Sequence, residues 1–186
     1  GYAIARDCML RGADVTLVSG KTSITPPPFV KVVDVVSAAD MFEAVKDSYK
    51  DMDYIIKTAA VADYTPAITY DNKVKKSDDD MSIALKRTTD ILKYLGEHKM
   101  PNQFLCGFSM ETENMLENSR KKLVSKNLDM IVANDVTAEG AGFGVDTNII
   151  TVITKDDTLP LLLLSKDEVA NTILTQAAKI LSEKSK

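Results

Sequence analysis

The sequence predicts an α/β protein with a doubly wound, mostly parallel sheet and an antiparallel hairpin near the C-terminus. Short apolar segments typical of strands alternate with amphipathic segments typical of helices over most of the chain. Near the end, two apolar segments flank Lys155-Asp156-Asp157, a sequence typical of a hairpin turn. In such sheets, ligands bind beyond the carboxyl ends of the parallel strands.

The predicted elements follow from local signals. Gly12 closes a first helix, β-branched residues mark the first strand, and Ser37 with Asp40 three residues later predicts a helix N-terminus. The predicted helices are 2–11, one after Ser37, 88–98, 111–126 and 169–182. The predicted strands are 14–18, 29–36, 54–57, 82–86, 104–107, 130–133, 149–153 and 159–164.

Length and composition favour one soluble domain of ordinary size over residues 1–186. Hydrophobic residues make up 45% and charged residues 27% of the 186, as in ordinary globular proteins. A net charge of −4 argues against a broad nucleic-acid surface, and no apolar run is long enough to span a membrane. Cys8 and Cys106 lack metal-site spacing, so we expect reduced thiols and a cytoplasmic protein.

The chain opens on Gly1-Tyr2, directly in a predicted helix with no preceding strand. We therefore expect a fragment or a processed chain, with further sequence before Gly1.

The strongest candidate site follows the predicted strand 54–57. Ala59 and Ala60 would let a ligand approach the backbone closely, and Asp63 would reach a ribose hydroxyl or a metal ion. Lys73, with Lys75 and Lys76, adds a positively charged flap suited to phosphate. Together they suit a nucleoside triphosphate, and a solvated lysine loop is the equally weighted alternative.

Two further places in the sequence are candidates for nucleotide contacts. Phe108 would stack on a base at a strand end that runs into a helix, or else belong to the core. Lys122 and Lys126, four residues apart on one helix face, would meet a triphosphate, although local evidence favours a solvated basic face.

Asn134 and Asp135 follow a buried strand, where such side chains either orient a substrate or form Asx turns. The glycine-rich segment 140–146 lacks the strand–glycine–helix order of a dinucleotide fingerprint and indicates a turn. His98, the only histidine, lies in a polar helix end, and Asp78-Asp79-Asp80 indicates a solvated loop, so neither predicts a catalytic group.

As an ordered set, these motifs resemble the phosphopantothenoylcysteine synthetase family, the synthetase part of the bacterial bifunctional coenzyme A biosynthesis flavoprotein. The resemblance covers essentially the whole chain. The matching segments are Ala59-Ala60-Val61-Ala62-Asp63-Tyr64, Lys73-Val74-Lys75-Lys76, Gly107-Phe108 with Glu111-Thr112, Lys122 to Asp129, and Val132-Ala133-Asn134-Asp135-Val136.

This resemblance implies a Rossmann-like homodimer that joins 4′-phosphopantothenate and L-cysteine with CTP, through an acyl-cytidylate, and uses Mg²⁺. It also implies a fused or associated flavin-dependent decarboxylase domain. Carried over by position, the nucleotide-binding residues are Ala59, Ala60, Asp63, Lys73, Phe108, Lys122 and Lys126. Lys73 is the implied catalytic residue, Asp63 the candidate metal ligand, and Asn134 and Asp135 the candidate substrate contacts.

The sequence departs from the family pattern in two places. The resemblance implies an Asn-x-Ser-Ser-Gly segment directly before Gly1, which helps bind phosphopantothenate and the acyl intermediate and which this sequence does not include, together with a first strand. Thr88-Thr89-Asp90-Ile91 replaces the usual Asn-Pro-Asp-Ile, which removes the expected contact of that helix start with the nucleotide. Two alternatives remain open: a nucleotide-binding module without catalysis, and a dinucleotide-dependent oxidoreductase. The second lacks a glycine fingerprint with an acidic residue about 20 positions further on.

Overall fold

The structure, a computed structural model, describes residues 1–70, 72–75, 81–110, 114–135 and 145–184. The helices are α1 (Tyr2–Leu10), α2 (Ala38–Ser48), α3 (Ile91–His98), α4 (Met115–Ser125) and α5 (Lys166–Lys184), with a short 3-10 helix at Tyr49–Asp51. The strands are β1 (Thr16–Ser19), β2 (Lys31–Asp34), β3 (Tyr54–Lys57), β4 (Tyr64–Pro66), β5 (Leu85–Arg87), β6 (Phe104–Met110), β7 (Met130–Asp135), β8 (Thr147–Thr154), β9 (Thr158–Pro160) and β10 (Leu164–Ser165).

The main sheet has the order β10-β8-β7-β6-β3, and β9 pairs with the middle of β8. Strands β3, β6 and β7 are parallel, whereas β8 runs antiparallel to β7 and to both short strands that follow it. The prediction of a mostly parallel α/β sheet with a C-terminal antiparallel hairpin is therefore confirmed.

Two core clusters lie on opposite faces of this sheet and make the fold three-layered. On one face, Phe104, Cys106, Met130 and Val132 pack against α5 and against Ile4 of α1. On the other face, the buried residues of the sheet pack against helices α3 and α4; the cluster contains Leu105, Ile131, Ala133, Ile153, Ile91, Leu92, Leu95, Leu123 and Leu128. Strict alternation of the side chains along β6 and β7 produces the two faces.

The prediction of a single sheet needs one correction. Strands β1 and β2 form their own parallel pair, and among the described strands none joins β1 to β3. A cavity of about 600 Å³ separates the two strands, with α1 on one side and residues of α2, including Met41 and Val45, on the other. The predicted sheet is thus divided between β1 and β3 by this cavity, which we call the slot.

The predicted strand 82–86 is also placed differently. It is β5, which pairs antiparallel with β4, a strand that the sequence analysis missed, and both lie outside the main sheet. The pairing continues through the Ala67 N–H, which donates to the Ala84 carbonyl at 2.8 Å. We call this two-stranded ribbon with its connecting segment, residues 64–87, the flap.

Other boundaries differ for local reasons. Strand β2 is shorter than predicted because Phe29 has a left-handed φ of 61° before it, and because the Val36 N–H donates to the Asp40 carboxylate at the start of α2 after it. Strand β6 extends to Met110, and α4 begins at Met115 after Asn114, whose φ is 49°. The predicted strand 159–164 is divided into β9 and β10, and α5 begins earlier than predicted, at Lys166. No helix among the described residues is both long and apolar enough to cross a membrane.

Candidate active site

The candidate site is built on the carboxyl end of β3. The register aligns Lys57 of β3 with Gly107 of β6, and the chain then leaves the sheet through Ala59 and Ala60. Ala59 is half-buried, whereas Ala60 and Asp63 are exposed. The exposed backbone and carboxylate therefore lie at the sheet edge where doubly wound folds bind ligands.

Two hydrogen bonds from Thr88 fix the segment that carries Asp63. The Thr88 N–H donates to the Asp63 carbonyl at 2.9 Å, and its hydroxyl donates to the Ala62 carbonyl at 2.6 Å. Because Thr88 lies between β5 and α3, these bonds connect the segment after β3 to the base of the flap and to the start of α3.

Asp90 organises the next part of the site. One carboxylate oxygen accepts the Lys93 N–H at 3.0 Å and caps α3, and the other pairs with Lys126 Nζ at 2.8 Å. Burial raises the pKa of Asp90, but the hydrogen bonds from Lys126 and Lys93 outweigh it and hold the pKa below its usual value. The helix start predicted at Thr88-Thr89-Asp90 is confirmed, with Asp90 as its N-cap.

Lys126 reaches this position from the end of α4. Its backbone lies against Gly96 of α3, and the side chain of the next residue, Asn127, donates to the Gly96 carbonyl at 2.8 Å. Lys126 therefore extends along α3 toward Asp90. Lys122 lies one turn earlier in α4 and is half-buried.

Lys57 is a site residue that the sequence analysis missed. It ends β3 on the same face as Ile55, half-buried, and its Nζ donates to the Ala59 carbonyl at 2.9 Å. Burial lowers the pKa of Lys57 and the charge of Lys126 lowers it further, whereas Asp90 and Asp63 act in the opposite direction. A charged residue closing an otherwise apolar strand was the available signal.

Lys73 and Lys75 lie in the connecting segment of the flap and are exposed. Lys76 and Asp78-Asp79-Asp80 lie outside the described residues. The flap thus carries two of the predicted lysines on a ribbon whose base is bonded to the segment after β3.

Phe108 is placed differently from the prediction. It lies inside β6 and packs against the core cluster of α1 and α5, and α4 begins only at Met115. No helix N-terminus therefore directly follows Gly107-Phe108. Glu111 and Thr112 of the same motif lie outside the described residues.

Asn134 and Asp135 end β7, two strands from β3 on the same edge of the sheet. Both are half-buried, and the Asn134 Oδ1 atom is buried with no hydrogen-bond donor among the described residues. The glycine-rich segment 140–144 lies outside the described residues.

Within the described ranges, no three His, Cys, Asp or Glu side chains come together as a metal site. Cys8 and Cys106 are free thiols, and burial raises the pKa of the Cys106 thiol well above its ordinary value. The described site is therefore one of lysines, carboxylates and backbone groups, which suits charge neutralisation on a phosphorylated ligand.

Comparison with known proteins agrees with this architecture. Residues 1–181 match the model of the DNA/pantothenate metabolism flavoprotein C-terminal domain. The chain belongs to this family. It is 50% identical over 182 residues to the coenzyme A biosynthesis bifunctional protein CoaBC of Bacillus subtilis, a match that covers 97% of this chain and 45% of that protein. The predicted family is thus confirmed, and the chain spans about half the length of the curated relatives it matches.

Solved structures support the fold. The crystal structure of the C-terminal domain of CoaBC matches with a TM-score of 0.82 and 49% identity, covering 98% of this chain and 84% of that one. The Cab2 mutant H337A in complex with phosphopantothenate-cysteine matches with a TM-score of 0.78, covering 100% of this chain and 79% of that one. At 13% identity, the second match supports the fold alone.

Proposed function

We propose that this flavoprotein C-terminal domain joins 4′-phosphopantothenate to L-cysteine with CTP, in coenzyme A biosynthesis. The observation that carries the proposal is the carboxyl end of β3, where an exposed backbone and Asp63 lie beside a flap with Lys73. The names of the full-length relatives, coenzyme A biosynthesis bifunctional proteins, support the same pathway.

The reaction has two displacement steps. The carboxylate of phosphopantothenate attacks the α-phosphorus of CTP, and pyrophosphate leaves as the acyl-cytidylate forms. The amine of cysteine then attacks the acyl carbon, CMP leaves with the bonding electron pair, and the amine loses a proton. The protein needs to hold the reactants in line and neutralise phosphate charge, so lysines and backbone groups suffice without a catalytic histidine.

In this proposal the residues divide the work by position. Ala59 and Ala60 present backbone groups to the nucleotide, and Asp63 lies at the ribose or at the metal ion. Lys73 neutralises the developing charge on the leaving pyrophosphate as the catalytic residue. Lys122 and Lys126 add positive charge from α4. Phe108, which packs against the core cluster of α1 and α5, forms part of the nucleotide-binding site. Asn134 and Asp135 contact the phosphopantothenate or lie at the dimer interface.

Mg²⁺ accompanies the triphosphate in this proposal. Asp63 is the carboxylate that would hold it together with phosphate oxygens and water, the usual ligand set of Mg²⁺ in such sites. When bound, it supplies charge neutralisation of the triphosphate.

We also propose a homodimer, and the flap supports it. Several of its described apolar side chains are exposed: Tyr70 is 69%, Met81 75% and Ile83 65% accessible. Exposed apolar patches of this kind mark association surfaces, and we assign this one to a second copy of the chain. Light scattering should report a dimer that becomes monomeric in the double variant Met81→Lys, Ile83→Lys. A wild-type monomer at micromolar concentration would refute the assignment.

A further strand, supplied upstream of Gly1, is proposed to fill the slot between β1 and β3. The Val15 carbonyl accepts the N–H of Lys31 in β2, and the Ser19 carbonyl accepts that of Val35, directly after β2. The Asp53 carbonyl accepts the N–H of Phe104 in β6. Because alternate residues of a parallel strand bond to one neighbour, Thr16 and Val18 direct their backbone groups into the slot.

The position of Gly1 supports a parallel orientation for that strand. A Cβ built on Gly1 would lie 2.7 Å from Thr58 Oγ1, so Gly1 lies at the carboxyl end of β3. A strand running into α1 from there would be parallel to β1 and β3, as a right-handed βαβ unit requires. In a polypeptide extended upstream of Gly1, hydrogen exchange should slow at Thr16, Val18, Tyr54 and Ile56 relative to the 1–186 chain, and unchanged rates would refute the strand.

The same two polypeptides test the ligase. With CTP, phosphopantothenate and cysteine, we expect the extended polypeptide to form phosphopantothenoylcysteine, detected by mass spectrometry, and the 1–186 chain to bind CTP weakly and form none. Equal turnover with ATP would refute the CTP preference. CTP binding without any product from the extended polypeptide would favour a binding module instead. A flavin-dependent decarboxylase domain, fused or associated, and a cytoplasmic location belong to the same proposal.

A further inference from the structure

We propose that Lys57 is an additional phosphate-binding residue of this site, held ready at the carboxyl end of β3. The inference rests on the proposed nucleotide-binding function and adds a residue to it. It starts from the position of an ammonium group on a sheet face that is otherwise apolar.

The register of the sheet fixes the position of Lys57. It follows Ile55 on the face that packs against α3 and α4, and it is aligned with Gly107 of β6. Gly107 has no side chain, and a Cβ there would meet Leu92 Cδ2 at 2.6 Å. Lys57, Thr58 and Ala59 all line the cavity between β1 and β3.

Among the described residues, the ammonium group of Lys57 has one hydrogen-bond acceptor. An ammonium group has three donors, and the Ala59 carbonyl takes one of them at 2.9 Å. Among the described residues, no carboxylate lies within ion-pair distance of Lys57 Nζ, whereas Asp90 is already bonded to Lys126 and to the Lys93 N–H. A half-buried cation ordinarily has an anionic partner, so Lys57 is prepared to accept one from a ligand.

The charged groups around Lys57 favour a ligand that carries a phosphate over an uncharged ligand. The charged groups that act on Lys57 are Lys126, Asp90 and Asp63. Asp90 pairs with Lys126, whereas Lys57 has no carboxylate in ion-pair contact among the described residues, and its ammonium group lies at the Ala59 carbonyl. A triphosphate bound along Ala59 and Ala60 would place a phosphate oxygen within reach of this ammonium group.

Three substitutions separate charge from structure. Lys57→Gln retains an N–H donor for the Ala59 carbonyl and removes the charge, whereas Lys57→Arg retains the charge. Lys93→Gln is the matched control, because Lys93 is exposed on α3 and its Nζ lies 3.9 Å from Glu97. Calorimetric titration of the full-length polypeptide with CTP, inorganic pyrophosphate and cytidine measures each contribution.

We expect Lys57→Gln to weaken CTP and pyrophosphate binding by about tenfold or more, the usual cost of losing a hydrogen bond between charged groups. Cytidine binding, which involves no phosphate, should be unchanged, and Lys57→Arg and Lys93→Gln should bind all three probes nearly as the wild type does. This pattern would assign Lys57 to the phosphates.

Other results would refute the inference in distinguishable ways. Wild-type affinity for CTP in Lys57→Gln would leave the nucleotide site intact and remove Lys57 from it. An equal loss for cytidine would make Lys57 a structural support of the segment after β3. A wild-type protein that binds pyrophosphate through Lys57 but not CTP would refute the proposed nucleotide, and one that binds neither would overturn both proposals.

Discussion

Gly96 of α3 offers the sharpest test of how the fold positions the site. A Cβ added there would lie 1.8 Å from the Lys126 carbonyl oxygen and 2.8 Å from its carbon. The oxygen would have to move from 1.8 Å to at least 3.0 Å, a displacement of about 1.2 Å. Because the obstructing atoms are backbone, Gly96→Ala cannot be relieved by a side-chain rotation.

The change in the free energy of unfolding for Gly96→Ala is the sum of opposing contributions. Helix propensity alone favours alanine over glycine by about 1 kcal/mol. Overpacking costs about 1–3 kcal/mol, and loss of the hydrogen bond from Asn127 to the Gly96 carbonyl costs roughly 1 kcal/mol more. The net expectation is a loss of about 2 kcal/mol, or a melting temperature lower by roughly 4–8 °C for a domain of this size.

Scanning calorimetry measures the melting temperature of this domain in the wild type and in Gly96→Ala. Gly107→Ala is the matched control, since its Cβ would meet only the side-chain ends of Leu92 and Leu128, at 2.6 and 3.1 Å. We expect the control to lose about 1 kcal/mol, the lower end of overpacking costs. A melting temperature of Gly96→Ala equal to or above that of the wild type would show that α3 and the end of α4 are not in contact as described.

Two further predictions concern the charged groups. Lys73→Met should lower turnover at least about tenfold, equivalent to about 1.4 kcal/mol, and should leave the melting temperature unchanged because Lys73 is exposed on the flap. Lys155→Met is the control. An unchanged rate in Lys73→Met would show that the flap lysines are solvated and do not contact the triphosphate. Asp90→Asn should cost at most about 1 kcal/mol, as the ion pair with Lys126 is partly exposed, whereas Asp90→Ala should cost about 1 kcal/mol more through the lost helix cap. Folding lowers the pKa of Asp90, so the difference in unfolding free energy between wild type and Asp90→Asn should be complete above a pH of about 4. It should decline as the pH falls through the folded-state pKa. Denaturant unfolding at several pH values measures this difference, and a difference independent of pH would contradict the ion pair.

Elements with strong local signals could be predicted from the sequence. Strand β3 has the predicted bounds, and Ser37 and Asp40 form the predicted reciprocal cap of α2, with the Asp40 N–H 3.1 Å from Ser37 Oγ. In both cases adjacent residues determine the result: an apolar run in one, a three-residue spacing in the other.

Features that depend on distant pairing could not be predicted. Strand β4 consists of three exposed or half-exposed residues and exists because β5 pairs with it about twenty residues later. Phe108 was assigned to a strand end, but β7 pairs with β6 through Met110 and extends it past that position. The ion pair of Asp90 with Lys126 joins α3 to α4, and no local pattern indicates it.

The central claim is that a nucleoside triphosphate binds at the carboxyl end of β3, and a crystal structure of the full-length polypeptide with CTP tests it most directly. We predict density for the cytidine against the backbone of Ala59 and Ala60, with phosphate oxygens within hydrogen-bond distance of Lys73 and Lys57. A nucleotide bound instead beyond β1 and β2, with the β3 edge empty at saturating CTP, would contradict the account.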